Sequence, residues 1–258
     1  MLLAFDLDKT IVTNDYQLPI EIVDALGRAR KAGHEVTILT GRPFINAAPV
    51  VQQLNLTAPH SVNHGAQVMN AAGKEIRRVH MSGQDADAII KDHADVENLD
   101  FSVMLDEQLH VKDPTTPSWD FVHTEKRLVE RYRPGNLHTV DKVVFYGPDH
   151  TDRLTTVFEK AFPRMERYLW ANGYLEVVPE HADKGSALAF IADKLGYAQQ
   201  DVVAFGDGSN DVSMIGWAGH GVAVGPWAVE GVLQNAQEHI ASPEELGVAA
   251  WIEKNLGV

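Results

Sequence analysis

The chain has 258 residues, no cysteine and a formal net charge of −14. That acidity leaves no basic field to attract nucleic acid or an anionic membrane, and the absence of thiols removes disulfides, thiolate catalysis and cysteine-type zinc sites. The 12 histidines show no close metal-ligand pairing, and the length suits one large domain or a core with an inserted module.

No stretch approaches the roughly 20 apolar residues of a membrane span, and the opening apolar run breaks at Asp6, too early for a signal peptide. A cytoplasmic protein is expected. Leu2, Leu3, Ala4 and Phe5 read as a short buried strand, and the strand ends in "DLDKT", with Asp6 and Asp8 two residues apart. After Pro19, "IEIVDALGRARKAG" places Ile22, Leu26 and Ala29 on one helical face and Gly33 at the stop. Val36 to Leu39 form a second strand that runs into "LTGR". "PFINAAPVVQQLNL" is helical in pattern but contains Pro49, where a kink or a restart is expected. A third strand enters "SVNHGAQVM". Strand, helix, strand, helix and strand in this order predict a parallel α/β sheet.

From about Met81 to Pro179 the texture changes to short alternating strands and more frequent turn residues. "DFSVMLDEQLHVKD" reads as strand, turn, strand; "KVVFYG" is a strand; "DHTDRLTTVFEKAF" is an amphipathic helix; and "RYLWANGYLEVV" is a hairpin around Asn172-Gly173. This predicts an α+β insertion with an antiparallel sheet. The first texture returns at "DKGSALAFIADKLG", with Leu188, Ile191, Ala192 and Leu195 on one face. "DVVAFGDG" and "GVAVG" follow as strands. A final helix is expected to open at Ser242, with Pro243 at its first position and Glu245 in a capping box.

Three strand ends of the core carry polar turns: Asp6 and Asp8; Thr40 with Gly41; and Asp207, Asn210 and Asp211 in "FGDGSND". Parallel α/β sheets bind ligands outside the carboxyl ends of their strands, so turns far apart in sequence can meet there. Asp6, Asp8 and Asp207 form an oxygen-only donor set suited to magnesium, which takes one or two carboxylates together with substrate phosphate. Thr40 offers a hydroxyl, Gly41 an open backbone N–H and Lys184 a positive charge to phosphate oxygens. Asp6 then serves as a nucleophile toward phosphorus, and Asp8 as the group that protonates the leaving oxygen and later activates water.

The ordered set resembles the haloacid dehalogenase-like (HAD) phosphatases. "DLDKT" is similar to the family's first motif, DxDx(T/V); "LTGR" to the second; Lys184 in "DKGSAL" to the third; and "GDGSND" to the fourth, GDxxND. The insertion resembles the type II-B cap of the Cof-type subfamily. The resemblance implies a Rossmann-like parallel-sheet core over 1–80 and 180–258 and an α+β cap over 81–179. It implies magnesium held by the Asp6 carboxylate, the Asp8 backbone carbonyl and Asp207, with Asn210 and Asp211 supporting. The turn Asn63-His64-Gly65-Ala66 is similar to a substrate-lining turn of the family that usually reads Asn-Gly-Ala. His64 stands in the place of that asparagine, which makes Asn63, His64 and the motif-adjacent Arg42 the substrate-binding candidates. Two further departures are Lys9, where glycine is common, and Gly225-Pro226, where Gly-Asn is common. Lys9 points to solvent or adds charge at the rim of the phosphate site.

The activity so implied is magnesium-dependent hydrolysis of a small phosphorylated metabolite, a sugar phosphate or a phosphorylated cofactor. A phosphohexomutase-like transferase and a non-catalytic phosphometabolite-binding protein are the alternatives. Trp170, Trp217 and Trp251 read as packing and the acidic excess as solvated surface; His181 and Glu176, near the return from the insertion, stay open between packing and ligand roles. Oligomeric state and the substrate itself are not encoded in these patterns.

Overall fold

The computed structural model describes residues 1–91, 93–119, 128–147, 149, 150, 152, 154, 164–170 and 173–258. The chain divides into two compact units, Met1–Arg78 with Asp183–Val258, and Val79–Ala182.

In the first unit the chain runs through β1 (Leu2–Phe5), α1 (Ile20–Lys31), β2 (Glu35–Ile38), α2 (Phe44–Gln53), β3 (His60–Val62), β4 (Gln67–Met69) and β5 (Glu75–Arg78). The second unit contributes β6 (Met81–Ser82), α3 (Gly83–Lys91), β7 (Asp100–Leu105), β8 (Gln108–Val111), β9 (Val129–Arg131), β10 (Thr139–Val140), β11 (Lys142–Tyr146), β12 (Glu166–Leu169) and β13 (Tyr174–Val178). The first unit then resumes with α4 (Lys184–Leu195), β14 (Val202–Gly206), α5 (Val212–Trp217), β15 (His220–Val224), α6 (Glu230–Asn235), β16 (Glu238–Ile240) and α7 (Gly247–Leu256).

The central sheet of the first unit has the order β16-β15-β14-β1-β2, and every pair in it is parallel. Strand β1 is buried along its whole length, which is why it is apolar at every position rather than alternating. Leu3 and Phe5 face a cluster with Ile22, Leu26 and Ala29 of α1 and Val248, Trp251 and Ile252 of α7. Leu2 and Ala4 face the opposite cluster with Leu188, Ile191 and Ala192 of α4 and Met214 and Ile215 of α5. Phe5 stacks on Phe205 with ring centroids 4.5 Å apart, and Trp251 meets Phe205 edge-on at 4.9 Å. Packing of this kind leaves the strand ends, not the strand bodies, free for chemistry.

Three expectations change here. The third strand does not extend the parallel sheet: β3 pairs antiparallel with β4, and β4 with β5, in a separate three-stranded sheet, linked to the main one through the parallel bridge Leu39–Ser61. Pro49 does not restart α2, because it lies within the one helix Phe44–Gln53. The final helix opens at Gly247 rather than Ser242. Pro243–Glu245 form a single 3-10 turn, and Leu246 takes a left-handed conformation (φ 58°) that breaks it from α7. Helices α5 and α6 and strand β16, too short to carry a clear period, were not predicted.

The second unit is built on a six-stranded sheet of order β12-β13-β11-β7-β8-β9, antiparallel except for β8 with β9. One face, with Phe101, Val103, Val143, Phe145, Leu175 and Val177, packs on Ala86, Ile89 and Ile90 of α3. Most of the helix predicted over 149–162, and Asn172 of the predicted turn, lie outside the described residues; Gly173 has the positive φ of 88° expected there. Among the described residues no helix is long and apolar enough to cross a membrane.

Candidate active site

Asp6 follows β1 directly, and Asp207 follows β14, the strand paired with β1. The backbone N–H of Asp6 donates to the Phe205 carbonyl at 3.0 Å, so the two carboxylates leave adjacent strand ends side by side. On the other flank of β1, Thr40 lies just past β2. The chain moves from β1 to β2 on one side while β14, β15 and β16 extend on the other. A reversal of strand order like this opens the crevice in which α/β sheets bind ligands.

Lys184 enters from α4. Its position is set by the cap: Asp183 Oδ1 accepts the Ser186 N–H at 2.9 Å and fixes the start of the helix. The Lys184 side chain is 0% exposed, and Nζ donates to Asp6 Oδ1 and to Asp211 Oδ1, each at 2.5 Å. An ammonium carries three N–H donors, so one is left for a ligand. Asp211 is committed to the scaffold, since its Oδ2 also accepts the N–H groups of Asp207 at 3.0 Å and Gly208 at 2.9 Å. Thr10 donates to Asp207 Oδ1 at 3.0 Å. Among the described residues no hydrogen bond reaches the second carboxylate oxygen of Asp6 or of Asp207.

Carboxylate oxygens of Asp6, Asp207 and Asp211 come within 4.8 Å of one another. Burial, then the Asp211 charge, raises the Asp6 carboxyl well above the usual carboxylate range, with Lys184 opposing. The same two causes push Asp207 up to about 7, against the Thr10 hydrogen bond and the charges of Lys184 and Lys9. For Lys184, burial alone would depress the pKa, but Asp211 and Asp6 overcome it and raise it. Three buried carboxylates against one ammonium leave excess negative charge. The all-oxygen donor set of Asp6 and Asp207 fits a magnesium-type cation.

Asp8 does not join this cluster. Its side chain is 40% exposed, and Arg42 grips both of its oxygens: Nε donates to Oδ2 at 2.8 Å and Nη2 to Oδ1. The guanidinium expected to meet substrate is therefore engaged with Asp8. Thr40 is buried, its N–H donates to the Ser61 carbonyl at 3.0 Å, and its hydroxyl oxygen accepts the Arg42 N–H at 3.1 Å. Gly41 lies between them, beside the ring of His64.

Asn63 is also turned to the scaffold: its Nδ2 donates to Gln67 Oε1 at 2.6 Å, and Gln67 donates to Glu75 at 3.1 Å. His64 is buried, with Nδ1 3.2 Å from Asn210 Nδ2. Lys9 is exposed and left-handed, with φ 63°, a conformation glycine adopts without strain; its charge nonetheless acts on Asp207. In the second unit Glu176 accepts from Lys142 Nζ at 2.6 Å and from Trp170 Nε1 at 3.1 Å. Thr10 was not singled out by sequence reasoning beyond closing the "DLDKT" motif, and its signal was that fixed place four residues after Asp6.

The profile of the haloacid dehalogenase-like hydrolases matches residues 3–252. The chain belongs to that family. This haloacid dehalogenase-like hydrolase is 28% identical over 277 residues to the 5-amino-6-(5-phospho-D-ribitylamino)uracil phosphatase YitU of Bacillus subtilis strain 168, covering 98% of this chain and 96% of that protein. It is 27% identical over 237 residues to an HMP-PP phosphatase of Serratia proteamaculans strain 568, covering 87% of this chain and 83% of that one. Among solved structures, a sugar phosphatase of HAD subclass IIB superposes with a TM-score of 0.83 at 22% identity, covering 99% of this chain and 98% of that chain. SMU.1108c of Streptococcus mutans UA159 superposes with a TM-score of 0.85 at 16% identity, covering 100% and 99%. The α/β fold with a parallel-sheet core expected from the sequence is the fold of these hydrolases.

Proposed function

We propose that this hydrolase is a magnesium-dependent phosphatase that cleaves a small organic phosphate monoester through an aspartyl-phosphate on Asp6. The observation that carries the reading is the buried contact of Asp6 Oδ1 with Lys184 Nζ at 2.5 Å beside Asp207 and Asp211. A carboxylate held in that position, with its second oxygen unengaged, has the placement of a nucleophile.

The steps follow from the side chains. One Asp6 oxygen attacks phosphorus, and the bond from phosphorus to the leaving oxygen breaks as Asp8 delivers a proton to it. Asp8 then takes a proton from water, which attacks the phosphorus of the acyl phosphate; the bond to Asp6 breaks and inorganic phosphate leaves. The Thr40 hydroxyl, the Gly41 N–H and the remaining Lys184 N–H meet the phosphoryl oxygens and stabilise the charge that spreads over them. Asp6, Asp207 and the Asp8 backbone carbonyl are the groups that would hold magnesium, which when bound neutralises the clustered carboxylates and the phosphoryl charge.

Two of the relatives are phosphatases named for 5-amino-6-(5-phospho-D-ribitylamino)uracil and for HMP-PP, both small phosphorylated compounds. That supports the class of substrate and leaves the body open. The test is phosphate release from an aryl phosphate and a panel of metabolite phosphates, with and without magnesium, for wild type and Asp6→Asn. Magnesium-dependent release that Asp6→Asn abolishes is the expected result; equal activity of the two proteins removes Asp6 as nucleophile. Hexose phosphate isomers appearing without free phosphate would replace hydrolysis with phosphoryl transfer.

A further inference from the structure

We infer that His64 is a positioning residue, the strut that braces the phosphate-binding Thr40-Gly41 turn against the Asn210 loop. The inference deepens the phosphatase reading and rests on it for the meaning of that turn. Sequence position marked His64 as a substrate contact, but the geometry gives it other work. The residue is 1% exposed. Its ring lies so close to Gly41 that a side-chain carbon there would meet Cε1 at 2.3 Å, Nε2 at 2.8 Å and Nδ1 at 2.9 Å. Any residue but glycine at 41 would displace the imidazole, so the open N–H at 41 and the ring at 64 are one packed unit.

The ring also meets the fourth motif. Asn210 Nδ2 lies 3.2 Å from His64 Nδ1; an amide nitrogen can only donate, so the strut requires Nδ1 as the acceptor and the ring proton on Nε2. The backbone around it is equally committed. The Asn63 N–H donates to the Arg42 carbonyl at 2.9 Å and the His64 N–H to the Thr40 carbonyl at 3.0 Å. Gly65 packs on the residue before Lys184, since a side-chain carbon there would lie 2.1 Å from the Asp183 carbonyl oxygen. One turn thus touches the loops that carry Thr40, Lys184 and Asn210.

The turn is also strained. Asn63, His64 and Gly65 have φ values of 50°, 59° and 101°, three left-handed residues in succession, two of them with side chains. Such backbone persists where surrounding contacts over-determine it, and it concentrates at functional sites. Here the contacts that hold it are those to the second, third and fourth motifs.

Two measurements decide the inference. The first is nitrogen-15 NMR of the histidine rings in wild type, Asn210→Ala and His64→Asn. A ring protonated at Nε2 and accepting at Nδ1, absent in His64→Asn and shifted in Asn210→Ala, is expected. A His64 signal that ignores Asn210→Ala overturns the strut, whatever the protein's activity. The second is kinetics of His64→Ala with several leaving groups, beside inhibition by inorganic phosphate. The strut predicts a kcat loss of about tenfold or more and weaker phosphate inhibition, by the same factor for every leaving group. A KM effect that varies with the leaving group, with phosphate inhibition unchanged, makes His64 a substrate contact instead. His64→Asn, which tolerates the left-handed conformation and can reach toward Asn210, should fall between wild type and His64→Ala; an Asn variant no better than Ala also removes the strut. Wild-type protein that releases no phosphate from any substrate would fail the phosphatase reading, while the NMR result would still judge the contact.

Discussion

Asp8 and Arg42 form a two-point ion pair, with both carboxylate oxygens held by one guanidinium at the mouth of the site. A bidentate pair fixes the direction of a carboxylate as well as its distance. Asp8 follows Asp6 by two residues, so Arg42 sets where the proton-handling group stands relative to the nucleophile. General acid–base groups are worth roughly 10²–10⁴ in rate. Arg42→Ala is therefore expected to lower kcat by about 10²-fold, within that range, with a smaller change in KM. Arg42→Lys, a point charge without the fork, should recover little of the loss. Steady-state kinetics on an aryl phosphate reads both. A raised KM with unchanged kcat would return Arg42 to direct substrate binding.

Lys184 lies between Asp6 and Asp211 with no exposure at all. Removing one partner of a buried ionic cluster leaves the others desolvated and unpaired, which costs on the order of 3–5 kcal/mol. Lys184→Met should therefore lose turnover and unfold at clearly lower urea concentration, and added magnesium should restore part of the stability by replacing the missing positive charge. An unchanged unfolding midpoint would mean that the two contacts contribute nothing to the fold.

Much of this site was legible before any coordinates because its parts obey local rules. The run Leu2 to Phe5 is apolar at each position since β1 is covered on both faces, and Ile22, Leu26 and Ala29 repeat with the helical period because α1 packs on that sheet. Three of the motifs announce strand ends and lie at the ends of β1, β2 and β14, and the Lys184 motif opens a helix as its pattern announces. What stayed hidden depends on tertiary contact. Nothing in the sequence says that Arg42 turns to Asp8 rather than outward, or that Asn63 pairs with Gln67. The true start of α7 was masked by Leu246, a residue type that rarely takes the left-handed conformation it has here. Strand β3 looked like a member of the parallel sheet because pairing partners are not written in a three-residue strand.

The donor set predicts a specific response to metal. Ligand that binds only the folded state adds stability, about 2.7 kcal/mol at a hundredfold excess over Kd. Magnesium should raise the melting temperature of wild type, and chelation should lower it and stop turnover. Asp207→Asn keeps the shape of the site but removes one of the two carboxylates with an unengaged oxygen, so most of the magnesium-induced gain should vanish. An equal gain in both proteins would move the cation away from Asp207.

His60 supplies a pH dependence separate from the catalytic cluster. It is 1% exposed, its ring stacks on Phe44 with centroids 6.1 Å apart, and burial lowers its pKa from the ordinary 6.5. Between the folded value and 6.5 the unfolded chain binds the proton more readily than the folded chain, so stability rises with pH across that window. The contribution is complete above 6.5 and is lost as pH falls through that value toward the folded one. His60→Phe keeps an aromatic ring against Phe44 and removes the titrating group. Melting temperatures of both proteins from about pH 8 to about pH 5, where imidazole titrates, should therefore diverge, with wild type losing stability faster on the acid side. Parallel curves over that range would mean that the folded protein accommodates a charged His60, and the buried, neutral imidazole inferred from its surroundings would be wrong.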